Sequence, residues 1–273
     1  MIKFWDETNL AIEAARAAGK KILQVYQTDF KTERKADYEP ITLADRTSQK
    51  TILEVLGSSH LPVLSEEQED DLLRLKQERV WIVDPLDGTA DFVARTDEFC
   101  VMIALVESQI SILGVIYEPT NDTLFVAQKG EGAYICKNGH WERLRVSNVQ
   151  GLDQIRAVMS RNHLLEEEKD ILAKIGVKNF VQMGSAGLKA AGIAEGRFDL
   201  YFTMTNKIKQ WDTAAANCLI NEAGGKITDL AGKDLIYNME DVYHRDGILM
   251  SNGKIHGEVL KIYRGFKNKQ SNN

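Results

Sequence analysis

Cysteine, proline and histidine are scarce in this chain: three, four and five of 273 residues. Cys100, Cys136 and Cys218 are scattered, odd in number and free of any Cys-x-x-Cys pairing, which excludes a disulfide framework and a cysteine zinc site. They read as reduced core thiols of a cytoplasmic protein. The histidines lie mostly in polar settings such as Ser59-His60 and Tyr243-His244, so no Ser-His-Asp arrangement is visible. A Gly-rich loop of the nucleotide-triphosphate type is missing as well. No run approaches the roughly 18 apolar residues of a membrane span, and Met1–Asp6 is not followed by the apolar stretch of a secretory signal. Excess basic charge is also lacking. A net charge of −6 argues against a nucleic-acid polymer or an anionic membrane as partner.

What the chain does have is core-forming material, with 44% hydrophobic and 27% charged residues. Leu10, Ala11, Ala14, Ala15, Ala18, Ile22 and Tyr26 recur at helical spacing. Asp29–Tyr38 is crowded with charge and reads as an exposed loop or hairpin. Thr42, with Asp45 three residues later, predicts a capped helix to about Leu56. Short apolar runs at 61–64, 80–83, 100–106, 110–117, 123–127 and 132–136 predict strands. From about Gln154 strands and helices alternate, giving an α/β second half after an α+β first half. The spacing predicts two intimately packed domains, 1–150 and 151–273, with a cleft between them.

Carboxylates stand where strands end. Trp81-Ile82-Val83 runs into Asp84-Pro85-Leu86-Asp87-Gly88-Thr89, where two carboxylates flank the Leu86 carbonyl. Hard divalent cations take such oxygen ligands, and Mg2+ sites combine one or two carboxylates with water and substrate phosphate. The structural alternative is a turn whose Asp side chains bond their own backbone. Glu66 and Glu67 follow the strand at 63–65, and Asp212 precedes a small-residue helix start, where a plain N-cap is the alternative. Asp45 completes the cap at Thr42, or hydrogen-bonds Thr89. Gly184-Ser185-Ala186-Gly187 could present amides to an anion at a helix start, or simply allow close packing. Together the acidic segments suggest a shared metal site of the kind that serves phosphoryl transfer.

Ser65-Glu66-Glu67, Asp84–Thr89, Trp211-Asp212-Thr213-Ala214-Ala215 and Glu222-Ala223-Gly224-Gly225 resemble, in order and spacing, the motifs of the lithium-sensitive, Mg2+-dependent phosphatase superfamily of inositol monophosphatases and 3′(2′),5′-bisphosphate nucleotidases. The likeness runs from the first helix to about residue 250. It implies a mixed α+β and α/β chain folded as a layered α-β-α-β-α sandwich of the inositol monophosphatase/fructose-bisphosphatase type, with two or three Mg2+ in the cleft. Carried over, Glu66, Asp84 and the Leu86 carbonyl hold one ion. Asp84, Asp87 and Asp212 hold a second, and Glu66 reaches a third. Thr89, backed by Asp45, orients the nucleophilic water, and the amides of Gly88 and Thr89 hold phosphate oxygens.

Lys35-Ala36-Asp37, Pro40–Asp45, Thr89-Ala90-Asp91-Phe92, Phe99, Ser160-Arg161-Asn162-His163 and Leu188-Lys189 are similar to the bacterial nucleotidase branch. That branch implies removal of the 3′-phosphate from adenosine 3′,5′-bisphosphate. Lys189 would neutralise the 5′-phosphate, Ser160 and His163 would touch the nucleotide, and Gly184, Ser185 and Asp212 would complete the substrate site. Lys189 is otherwise an exposed helix lysine. Two departures keep an inositol monophosphatase, or a broad sugar-phosphate phosphatase, as the alternative. The Gly184–Gly187 loop is spaced as in inositol monophosphatases, and Thr203–Lys209 lacks a clear base-stacking aromatic. A non-catalytic binding protein of the same fold would be free to lose a metal carboxylate, and none is missing. Homodimers are common among such proteins, so a second copy of the chain is the macromolecular partner the resemblance suggests.

Overall fold

The computed structural model describes residues 2–34 and 40–270, the side chain of Gln270 excepted. Helix α1 (Asp6–Tyr26) buries Ala11, Ala14, Ala15, Ala18 and Ile22 completely. Their 3–4 residue spacing puts them on one face, and the small side chains let a second helix approach closely. Strands β1 (Thr32–Arg34) and β2 (Pro40–Thr42) pair antiparallel before α2 (Leu43–Leu56). The charged stretch from Asp29 thus enters a hairpin, while Lys35-Ala36-Asp37 and Tyr38 lie outside the described residues. Next come β3 (Val63–Ser65), β4 (Arg79–Asp87), α3 (Thr89–Ala94), β5 (Cys100–Glu107), β6 (Ile110–Glu118), β7 (Thr123–Gln128), β8 (Gly132–Lys137) and β9 (His140–Arg143). The second half supplies β10 (Ala157–Ser160), α4 (Glu166–Ile175), β11 (Phe180–Met183), α5 (Ala186–Ala194), β12 (Leu200–Thr203), α6 (Ala214–Glu222), β13 (Lys226–Thr228), β14 (Ile248–Ser251) and α7 (His256–Gln270).

Two sheets result. One runs β3-β4-β5-β6-β7-β8-β9, antiparallel except for the parallel β3–β4 pair. The other is mixed, in the order β11-β10-β12-β14-β13. Alternating residues send Trp81, Val83, Val101 and Ile103 toward α1 and α2 on the outer face of the first sheet. Ile82, Cys100, Met102 and Ala104 point the other way, into a layer formed by α5 and α6 that the second sheet closes with Val158, Tyr201 and Met250. Met159, Leu200, Phe202 and Leu249 face α4 and α7 on the far side. The expected α-β-α-β-α sandwich is the fold of this chain. Its middle helices belong to a core shared by both sheets, so burial there couples the halves.

Two elements go beyond the sequence reading. Strand β9 is exposed along its whole length and so has no apolar alternation to betray it. Helix α3 has six residues, of which only Asp91 and Phe92 are buried, too short for a period to show. Among the described residues, no helix is long and apolar enough to cross a membrane. All three cysteines are free and buried.

Candidate active site

One face of α2 lines the ends of β3 and β4. Residues 45, 48 and 49 fall at i, i+3 and i+4, so their side chains share a face. Ser48 donates to the Pro85 carbonyl at 2.6 Å, and Gln49 accepts from the Ser65 hydroxyl at 2.5 Å. Asp45 divides its two oxygens. Oδ2 accepts from the Thr42 amide at 2.7 Å and its hydroxyl at 2.8 Å, which closes the capping box. Oδ1 accepts from the Thr89 hydroxyl at 2.9 Å. Both readings of Asp45 are therefore realised at once. The same Thr89 hydroxyl lies 3.0 Å from the Leu86 carbonyl, so a single proton has two acceptors. Burial raises the Asp45 carboxyl above the usual carboxylate range, against the pull of its hydrogen bonds to Thr42 and Thr89.

A register shift in β4 brings the two aspartates to one side. Asp84 pairs with Met102, but Asp87 pairs with Cys100, so Pro85-Leu86 carries one residue too many for its partner strand. Regular alternation would aim Leu86 between the sheets and Asp87 outward. The bulge reverses this, because Leu86 packs toward α1 and α2 while Asp87 joins Asp84 on the face between the sheets. Pro85 sits where strands tolerate proline, in the bulge. Gly88 follows at φ +92°, and a Cβ there would stand 2.7 Å from the Glu98 carbonyl oxygen, so only glycine fits the turn.

Glu66, Asp84, Asp87 and Asp212 converge electrostatically. The Glu66 amide donates to the Val83 carbonyl at 3.3 Å, which sets the end of β3 beside Asp84. Burial first, then Glu66, Asp87 and Asp212, push the Asp84 carboxyl well above its ordinary value. Asp212 is raised in the same way by burial and then by Glu66, while the Lys209 amide pulls it back. Each carboxylate also has a local donor: Leu86 N to Asp84 Oδ1 at 3.0 Å, and Lys209 N to Asp212 Oδ2 at 2.7 Å. Asp212 is not the N-cap of α6, since Thr213 occupies that place. Among the described residues, no three His, Cys, Asp or Glu side chains are gathered into a ready-made cage. The donor chemistry is that of a hard cation that retains water. Acidic oxygens in an apolar interlayer raise one another's cost of ionisation, and a divalent ion reverses that cost.

The second half grips Asp87. Ser185 N-caps α5, accepting from Leu188 N at 3.0 Å, and its hydroxyl donates to Asp87 Oδ2. The amides of Ala186 and Gly187 donate to the same carboxylate at 3.1 and 2.7 Å. Gly184 N donates to Glu98 at 2.7 Å. The loop does present amides to an anion, but the anions are the protein's own, which leaves Gly184 and Ser185 organising the site from behind. Gly187 also meets the packing reading, since a Cβ would fall 2.6 Å from Cys100 Sγ. Burial, and then Asp87, pushes the Cys100 thiol well up, which disfavours its thiolate.

Lys189 departs from its reading as an exposed helix lysine. It is 3% exposed, so it is no surface lysine. Its ammonium turns back to the loop, donating to the Gly184 and Ser185 carbonyls, the latter at 3.0 Å. Burial lowers its pKa to about 8. Ser160 is buried and accepts from His163 N at 3.1 Å in a local turn, while His163 itself is exposed. The sequence reading gave no role to Arg161, which pairs with Asp91 and, at 2.7 Å, with Glu98. Asn162 donates to Asp91 at 2.9 Å. These contacts tie α3, which begins at Thr89, to the end of β10. Only their separation, about 70 residues along the chain, hid them.

Residues 6–266 match the inositol monophosphatase family, nearly the whole chain. This chain belongs to that family. Within it, the chain is 33% identical over 243 residues to the 3′(2′),5′-bisphosphate nucleotidase CysQ of Aggregatibacter actinomycetemcomitans, covering 88% of this chain and 90% of that protein. The solved structure of CysQ from Bacteroides thetaiotaomicron superposes with a TM-score of 0.79 at 33% identity, over 92% of this chain and 99% of that one. The Thermotoga maritima IMPase gives 0.82 at 28% identity, over 97% and 99%. The family's shared architecture is the layered sandwich described above.

Proposed function

We propose that this protein is a Mg2+-dependent phosphomonoesterase that removes the 3′-phosphate of adenosine 3′,5′-bisphosphate, leaving AMP and inorganic phosphate. The observation that carries the hydrolytic reading is the Asp45–Thr89 hydrogen bond, set at the edge of four carboxylates from three distant segments. The nucleotide follows from the likeness to 3′(2′),5′-bisphosphate nucleotidases. Glu66, Asp84 and the Leu86 carbonyl are assigned to one Mg2+, and Asp84, Asp87 and Asp212 to another. Glu66 would also serve a third, weaker ion. Bound there, Mg2+ supplies positive charge for the phosphoryl oxygens and a water that ionises more easily.

The chain's own residues do the rest. Thr89 donates its hydroxyl proton to Asp45 and accepts one from the attacking water. The raised Asp45 carboxyl is the better proton acceptor for it. The amides of Gly88 and Thr89 face the phosphate oxygens in this assignment. No side chain is needed as covalent nucleophile, and attack is in line on phosphorus. The comparison that tests the reading is kcat/KM with Mg2+ for adenosine 3′,5′-bisphosphate against inositol 1-phosphate. A preference of about tenfold or more for the nucleotide is expected. Preference for inositol 1-phosphate would establish the second reading, which the burial of Lys189 favours.

A further inference from the structure

We propose that Arg161 is a positioning residue for the hydrolysis: through Asp91 and Glu98, one guanidinium holds the Thr89 hydroxyl and the Asp87 carboxylate in register. The inference rests on the hydrolytic reading above and is independent of which phosphate ester is the substrate. Asp87 is gripped by the second half of the chain, whereas Thr89 bonds to Asp45 in the first. The two are joined through Gly88, at φ +92°, whose backbone has the freedom of a residue without a side chain. Their relative placement therefore depends on contacts that both arms share.

The first arm carries Thr89. Asp91 lies in the first turn of α3, two residues further on, and is buried. Its Oδ1 meets Arg161 and the Thr96 hydroxyl, the latter at 3.0 Å, and its Oδ2 accepts from Asn162 at 2.9 Å. A helix of six residues does not hold its place alone, so these contacts aim α3. The second arm carries the grip on Asp87. Arg161 meets Glu98 with both ends of its fork, Nη1 to Oε2 at 2.7 Å and Nη2 to Oε1 at 2.9 Å. Glu98 Oε2 accepts in turn from Gly184 N at 2.7 Å, and the next three residues supply the donors that hold Asp87. The Arg161 backbone is pinned beside the same loop, its amide donating to the Met183 carbonyl at 3.0 Å. The arms touch at Gly184, where a Cβ would collide with the Asp91 carboxylate. Without the guanidinium, Asp91 and Glu98 lose the cation they share, and the two arms have a reason to part.

The test compares Arg161→Met with Arg156→Met. Arg156 stands at the other end of β10 and pairs with the fully buried Asp199 at 2.9 Å, whose remaining side-chain partner is Ser147. It reports what losing an arginine–aspartate pair outside the site costs the fold. Kinetics use whichever of adenosine 3′,5′-bisphosphate and inositol 1-phosphate the unmodified enzyme prefers, and titration calorimetry follows Mg2+ binding without substrate. Arg161→Met should lower kcat about a hundredfold, the cost of misplacing reacting groups by about 1 Å, with KM changed far less. Its Kd for Mg2+ should rise about tenfold, because Asp87 loses its setting. Arg156→Met should change neither. Arg161→Lys, a charge without the fork, should recover kcat only in part. If Arg161→Met fails to fold, the same two losses, smaller, are read in Arg161→Lys. Adding Glu98→Gln to Arg161→Met removes the uncompensated charge and should restore part of kcat, so the two losses do not multiply. Retention of kcat and of Mg2+ affinity in Arg161→Met, or equal losses in Arg156→Met, would make Arg161 a brace of the fold and overturn the proposal. If unmodified enzyme releases no phosphate from either ester with Mg2+, the hydrolytic reading itself is lost, and that is seen before any variant is made.

Discussion

Replacing Asp45 by Asn separates two duties that one carboxylate performs. Asp45 is 1% exposed, with Oδ2 committed to Thr42 and Oδ1 to Thr89. An amide has a single oxygen, and the Thr42 backbone N–H at the helix start needs an acceptor. The Asn oxygen therefore turns to Thr42 and its NH2 to Thr89. The helix keeps its cap, so stability should change by less than about 1 kcal/mol, a shift of roughly 2–4 °C in Tm at most. Thr89 now accepts from residue 45 and can donate only to the Leu86 carbonyl. Its oxygen is no longer open to take a proton from water and pass one on. Losing a positioned proton acceptor costs about 10²–10⁴ in kcat, or roughly 3–5 kcal/mol of barrier. Thr42→Ala is the complementary perturbation. It removes the hydroxyl that accepts from Ala44 N at 3.0 Å, costs about 1 kcal/mol of stability and should leave kcat within a few-fold. Phosphate release at saturating Mg2+ and thermal unfolding followed by circular dichroism measure both quantities. If Asp45→Asn retained more than about a tenth of kcat, or Thr42→Ala lost as much as Asp45→Asn, Asp45 would be a helix cap and no more.

Two further outcomes follow from buried cations and near-cations. Lys189→Met should depress kcat/KM for adenosine 3′,5′-bisphosphate and inositol 1-phosphate by the same factor, because the lysine braces the loop that holds Asp87; a loss confined to the bisphosphate would return it to the substrate site. His256 is buried, with Nε2 2.9 Å from the Thr228 hydroxyl and Nδ1 2.9 Å from that of Ser251, and burial followed by Lys226 lowers its pKa to about 4. The unfolded chain takes up that proton near pH 6.5 while the fold does not. The unfolded state thus binds more protons between pH 6.5 and 4, and stability is lost as pH falls through that window, by about 2–3 kcal/mol from this group. Urea unfolding at pH 7 and pH 4.5 should show a flatter dependence in His256→Gln; an unchanged slope would remove His256 from the account.

Much of the fold was legible because its signals are local. The alanine stripe of α1, the Thr42–Asp45 cap and the alternating strands each announce themselves within a few residues. The acidic motifs were legible for the same reason, and the segments expected to carry ligands are the ones that meet. What escaped is what only register and distance decide. Asp84 and Asp87, three apart, would face opposite sides of a regular strand. A single extra residue around Pro85 puts both between the sheets, and no pattern of hydrophobicity encodes that phase change. Lys189 shows the opposite failure. At the level of sequence a lysine after a helix start is read by its charge, but its stem reaches back four to five residues to the loop carbonyls, and the surrounding core closes over it. Tyr243 joins Lys209, more than thirty residues earlier, through one backbone bridge that no local pattern announces. The contacts that organise the site are accordingly pairings between segments, and the residues that hold it together are those whose neighbours in space are far along the chain.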